Sequence, residues 1–174
     1  MKKFNNRPNP EHHINGKTIW ESRSVAVVGV VLGIWESNVY VLLEKRSDII
    51  MDSPGKWCLP CGYLDWDETA QEGLKREIYE ETGLDIDTME DDMVFENKQP
   101  FLVNTDPSEN RQNITLSYIN AFDFFKTGLP ELKIMDLNET SELRWVSIEY
   151  LSNFDLAFNH QNTISKALAV LEEQ

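Results

Sequence analysis

Residues 62–84, GYLDWDETAQEGLKREIYEETGL, constrain the fold of this chain more than any other stretch. Seven of these 23 residues are acidic. Thr69 and Glu72 form the pattern of a capping box, which starts a helix, and Gly83 suits its C-terminal end. Within that helix Glu77, Glu80 and Glu81 crowd together, although acids three and four apart on a helix repel. At about 100° per residue, Glu77 and Glu81 fall on the same stripe as Ala70 and Leu74. Glu80 lies at the edge of that stripe, Lys75, Tyr79 and Glu72 lie opposite, and Arg76, the nearest base, points elsewhere. Burying the apolar stripe therefore buries at least two carboxylates. An unpaired buried carboxylate costs several kcal/mol, and two close together cost more. A divalent cation resolves the conflict, because Mg²⁺ prefers carboxylate oxygens, keeps several waters and recruits phosphates. The spacing predicts acids stacked to receive metal.

The rest of the chain reads as one domain. Its 174 residues suffice for one sizeable core. Residues 1–20 read as an N-terminal arm or edge element, and 21–174 as a single domain. The Val-rich run from Ser24 to Trp35 predicts a strand buried on both faces. Glu36, Ser37 and Asn38 make a turn, and Val39 to Arg46 return as a second strand. A loop punctuated by Pro54 and Gly55 leads to a short strand over KWCLP. Further strands are expected over MVFENKQPFLVN, NITLSYINAFDF and ELRWVSI. Asp106 and Pro107 mark a turn between the first two. Ile164, Ala167, Leu168 and Leu171 give the terminal segment the spacing of an amphipathic helix. Strands with interspersed helices point to an α/β or α+β sandwich.

Composition excludes several function classes. Acidic residues number 30 against 16 basic, a net charge of -14. That balance opposes a general grip on nucleic-acid polymers or anionic membranes, but not a small phosphate-bearing substrate reached through cations. The absence of a membrane-length apolar run and of a secretory leader places the protein in the cytoplasm. Cys58 and Cys61 form a C-x-x-C. Zinc needs four ligands and there is no second cysteine pair. A strand at Cys58 would also turn the two side chains to opposite faces. Two ordinary reduced thiols are expected.

At the acidic helix the sequence resembles the Nudix hydrolase family. The family box, G-x5-E-x7-R-E-U-x-E-E-x-G-U with U aliphatic, is met by Gly62, Glu68, Arg76, Glu77, Ile78, Glu80, Glu81, Gly83 and Leu84. The resemblance implies the Nudix fold, an α/β/α sandwich with a mixed sheet and the box as loop–helix–loop. It implies hydrolysis, at the pyrophosphate, of a nucleoside diphosphate linked to another group. By position, Glu77, Glu80 and Glu81 would hold one or more Mg²⁺ or Mn²⁺, with the Gly62 carbonyl as a further ligand. Glu68, Arg76 and Gly83 would be structural, the first two bracing loop against helix. The general base of this family is a box glutamate or a later acid, for which Glu139 and Glu142 are the candidates, Glu142 being taken as catalytic. Many members carry Pro-Gly-Gly where this chain has Pro60-Cys61-Gly62, so Cys61 adds bulk beside the carbonyl position.

Substrate choice rests on thinner likeness. Pro100 lies where ADP-ribose pyrophosphatases carry a proline, and the Asp106-Pro107 segment before Arg111 also looks like theirs. Arg46 and Arg111 are the expected substrate contacts, since the guanidinium fork matches phosphate oxygens. An ADP-ribose-like substrate is favoured. A nucleoside triphosphate or a diadenosine polyphosphate is the alternative, and a noncatalytic nucleotide-sensing module the second alternative. Sensors of that kind carry an added DNA-binding domain, for which the chain leaves little room after its last helix. Family likeness also implies a homodimer.

Overall fold

The structure is a computed structural model that describes residues 9–110 and 113–173. Strands β1 (Glu11–Ile14) and β2 (Lys17–Trp20) form a separate antiparallel hairpin, turned by Asn15 and Gly16 at positive φ. Every residue of these two strands is exposed. The main sheet contains β3 (Val25–Trp35), β4 (Asn38–Arg46), β5 (Trp57–Cys58), β6 (Cys61–Tyr63), β7 (Met93–Glu96), β8 (Leu102–Asn104), β9 (Ile114–Asp123) and β10 (Thr140–Ser147).

Its order is β10-β4-β3-β9-β7, with β5 on β4, β6 on β3 and β8 on β9. Strands β3 and β9 run parallel while the other pairs are antiparallel, so the sheet is mixed. The β3–β4 turn uses Glu36 and Ser37 at φ 47° and 64°, left-handed conformations that suit a tight hairpin.

Alternation along β3 feeds two cores. Val28, Val30 and Leu32 pack with Leu43, Ile119 and Val146 under α3 (His160–Glu172), which contributes Ile164 and Ala167. Val27 and Val31 pack with Leu42, Tyr118 and Phe122 under α1 (Ala70–Thr82), which contributes Leu74 and Ile78. A strand sandwiched this way must be apolar on both faces, as the Val-rich run predicts. Gly29 brings α1 close, because a Cβ there would sit 3.1 Å from Ile78 Cδ1.

Two sequence expectations need correction. The run from Met93 to Asn104 is not one strand but β7 and β8, both paired with β9 and separated by the segment containing Pro100. KWCLP is not a single strand, since the chain bends at Pro60 and leaves β4 for β3. After α1 the chain forms a 3-10 segment over Ile86–Asp92, with Ile86 buried in the α1-side core. Two more short helical elements follow, α2 (Pro107–Asn110) and a 3-10 turn over Ile148–Asn153.

Candidate active site

Helix α1 begins as its sequence requires. The Thr69 hydroxyl accepts the Glu72 N–H, and the Glu72 carboxylate accepts the Thr69 N–H at 2.8 Å. It ends at Gly83, left-handed at φ 70°, whose N–H donates to the Tyr79 carbonyl at 2.8 Å. Between these caps the helix turns Leu74, Ile78 and Glu81 inward, and Glu81 retains only 8 % exposure. Glu77 is half-buried beside it, while Glu80 faces solvent. The preceding loop closes over this face. A Cβ at Gly62 would overlap the Glu77 carboxylate, so any larger residue there would displace that carboxylate from its present position. The Cys61 N–H donates to Glu81 Oε2 at 2.9 Å.

Arg76 corrects the reading of the sequence. It does not point away from the acids. Its Nη1 donates to Glu77 Oε1 at 2.8 Å and to Glu80 Oε2 at 2.9 Å. Nε and Nη2 grip Glu68 at 2.9 and 2.7 Å, and Nη2 also reaches the Tyr63 carbonyl at 3.0 Å. Glu68 in turn accepts the Asp65 N–H at 2.8 Å. Loop and helix are thereby braced together, and Arg76 holds the Glu68 carboxyl below its usual range.

One guanidinium does not balance this set. Burial pushes Glu77 up, with Arg76 opposing and the charges of Glu80 and Glu139 adding to the rise. Burial pushes Glu81 much further up, reinforced by Glu44 and Cys61. As the side chains stand, no three Asp, Glu, His or Cys groups converge into a finished cage among the described residues. Glu77 and Glu80 are turned onto Arg76 instead. The donor chemistry nevertheless fits a hard divalent cation: carboxylate oxygens in excess over cationic partners, with the Gly62 backbone pressed against one of them.

Other expected site residues fall in different places. Glu142 is tied to Arg144 on its own strand. Of the two later acids, it is Glu139 whose charge bears on Glu77 and Glu44. Arg46 Nε donates to the Asp52 carbonyl at 2.8 Å, and its guanidinium stacks 5.0 Å from the Phe158 ring centre. Arg111 lies outside the described residues. Cys58 and Cys61 are free thiols, as expected, Cys58 buried and Cys61 half-buried. Cavities of about 300 and 150 Å³ open elsewhere, and neither is lined by Glu77, Glu80 or Glu81.

The sequence reading missed Glu44, Thr140 and His160. Glu44 is 2 % exposed, and its pKa is raised by burial. His160 Nδ1 accepts the Leu59 N–H at 2.9 Å and is held neutral, its pKa lowered to about 3 by burial and by Arg46. For Glu44 a signal existed: a carboxylate directly follows the apolar run Val39–Leu43 in a strand expected to be buried.

The NUDIX domain profile matches residues 23–167, most of the chain. The protein belongs to the Nudix family. Nudix hydrolase 19, chloroplastic, of Arabidopsis thaliana is 28% identical over 145 residues, covering 83% of this chain and 27% of that protein. The ADPR responsive transcriptional repressor NtrR of Acinetobacter baylyi is 23% identical over 160 residues, covering 91% of this chain and 58% of that one. This Nudix chain thus spans less than two thirds of either relative. The NUDIX domain of Shewanella oneidensis NrtR, solved with ADP ribose, superposes at a TM-score of 0.68 and 21% identity, over 87% of this chain and 90% of that one. At that identity the likeness establishes the Nudix fold. Among the described residues, no helix is long and apolar enough to cross a membrane.

Proposed function

We propose that this protein is a divalent-cation-dependent pyrophosphohydrolase acting on a nucleoside diphosphate linked to a second group, with an ADP-ribose-like compound as the favoured substrate. One observation carries the reading: Glu81, buried, and Glu77, half-buried, lie against the Gly62 loop in excess of the single guanidinium that serves this face. Glu77, Glu80, Glu81 and the Gly62 carbonyl would hold Mg²⁺ or Mn²⁺. A bound cation supplies a more acidic water and offsets charge on the phosphoryl oxygens. The chain's own residues do the positioning. Arg76 holds loop and helix in register, the Cys61 N–H orients Glu81, and Glu77 and Glu80, paired with Arg76, would be the carboxylates that share in holding the cation. Glu139 and Glu142 are the candidate general bases, Glu142 held by Arg144 on β10.

The substrate class draws support from the ADP-ribose bound by the NrtR domain and from the name of the NtrR relative. The same relative favours a second reading, a module that binds ADP-ribose without cleaving it. A panel of ADP-ribose, nucleoside triphosphates and diadenosine polyphosphates, assayed for phosphate or nucleotide release with Mg²⁺ and with Mn²⁺, separates the possibilities. Release of AMP from ADP-ribose is expected. Triphosphates cleaved with ADP-ribose untouched would overturn the substrate, and tight binding without turnover would favour the sensor.

A further inference from the structure

The segment Cys58–Cys61, which delivers the Gly62 loop to the acidic helix, is held at every residue. The Cys58 thiol donates to Glu44 Oε1 at 3.0 Å, and the Leu59 N–H donates to His160 at 2.9 Å. The Pro60 carbonyl accepts the Gly29 N–H at 2.9 Å, and the Cys61 N–H donates to Glu81 at 2.9 Å. Two of these partners, the Gly29 N–H and the neutral His160 ring, have a plain structural role, and Glu81 belongs to the acidic site already described. Glu44 is different. It is a carboxylate at 2 % exposure, and its other oxygen accepts the Thr140 hydroxyl at 2.7 Å.

For stability alone this is a poor choice. A thiol and a hydroxyl are weak compensation for a buried charge, and a neutral side chain of the same size would cost less. Its placement explains the choice. Glu44 on β4 faces Cys58 in register and clasps β10 through Thr140, tying three strands at the point where β5 ends. Its charge also acts on Glu81 more strongly than any other carboxylate does.

We propose that Glu44 is a positioning residue of the cation site: through Cys58 it fixes the backbone that sets Cys61 and Gly62 against Glu81 and Glu77, and it adds buried negative charge behind the ion. The inference rests on the cation-dependent reading above. Groups that orient metal ligands from behind typically change affinity or activity about 10- to 100-fold when altered. Glu44→Gln keeps the size and removes the charge.

Mn²⁺ titration followed by the paramagnetic resonance of the free ion, run beside kcat and KM, tests it. The expected result is Mn²⁺ affinity and kcat each lower by about tenfold, with KM for the nucleotide within about twofold and a melting temperature no lower than the parent's. Thr140→Val leaves the carboxylate in place but removes one of its donors, and should give a smaller loss of Mn²⁺ affinity. Parental Mn²⁺ affinity in Glu44→Gln would overturn the role of Glu44 and leave the cation site standing. A parent protein that binds no Mn²⁺ would overturn the cation reading and this inference with it.

Discussion

At Glu81 burial and charge pull in opposite directions. The carboxyl is buried, with Glu44 and Cys61 as its neighbours, so its folded-state pKa stands well above the ordinary 4.5. A raised carboxyl contributes stability that is full below the unfolded value of 4.5 and is lost as pH rises through the folded value. Near neutral pH the cation-free protein therefore carries a penalty at this residue. Glu81→Gln removes the charge and keeps an acceptor for the Cys61 N–H. Its expected outcome is a cation-free melting temperature at or above the parent's near neutral pH, with turnover lower by on the order of a hundredfold or more. Scanning calorimetry at pH 5 and pH 8, paired with an assay of AMP released from ADP-ribose, checks both halves. Near-parental turnover would remove Glu81 from the site.

Helix α1 is specified at its ends by local chemistry and on its face by the sheet. The reciprocal Thr69–Glu72 bonds satisfy two N–H groups that the first turn leaves open. Thr69→Ala should cost about 1 kcal/mol of global stability. Because the cap adjoins the loop carrying Glu68, which Arg76 grips, the same change should also loosen loop against helix. Urea unfolding measures the first effect. A KM-against-kcat comparison measures the second, with kcat expected to fall more than affinity for substrate. Stability unchanged within error would mean that neighbouring water satisfies the freed Glu72 N–H as well as threonine does.

The two layers of the molecule meet at His160. From the first turn of α3 it crosses to the segment ahead of the Gly62 loop and accepts the Leu59 N–H, a contact spanning 101 positions of chain. Its folded pKa, lowered to about 3 from 6.5, gives a definite sign. The neutral ring contributes stability that is present above pH 6.5 and is lost as pH falls toward 3. At one pKa unit per roughly 1.4 kcal/mol, the loss by pH 5 is about 2 kcal/mol from this group. His160→Asn retains an acceptor without an ionisation in that range. The gap in unfolding free energy between parent and variant should therefore narrow by about that amount between pH 7 and pH 5. A gap independent of pH would show that His160 titrates alike in the folded and unfolded chain.

Sequence determined what depends on near neighbours. A helix is fixed by residues a few positions apart, so its caps, its length and the inward turn of Glu77 and Glu81 were readable from residues 62–84. The Val-rich periodicity of β3 likewise announced a strand covered on both sides, and the box named the family. Tertiary structure decided what depends on groups far apart in the chain. Glu44 meets Thr140 across 96 positions, and the expected Met93–Asn104 strand pairs with β9 as two separate strands. Arg76 was misread although its partners all lie within 13 positions of it. A helical wheel gives the direction of a Cβ but not the reach of a long side chain, and a guanidinium off the stripe still extends around the helix to carboxylates held against it by the loop.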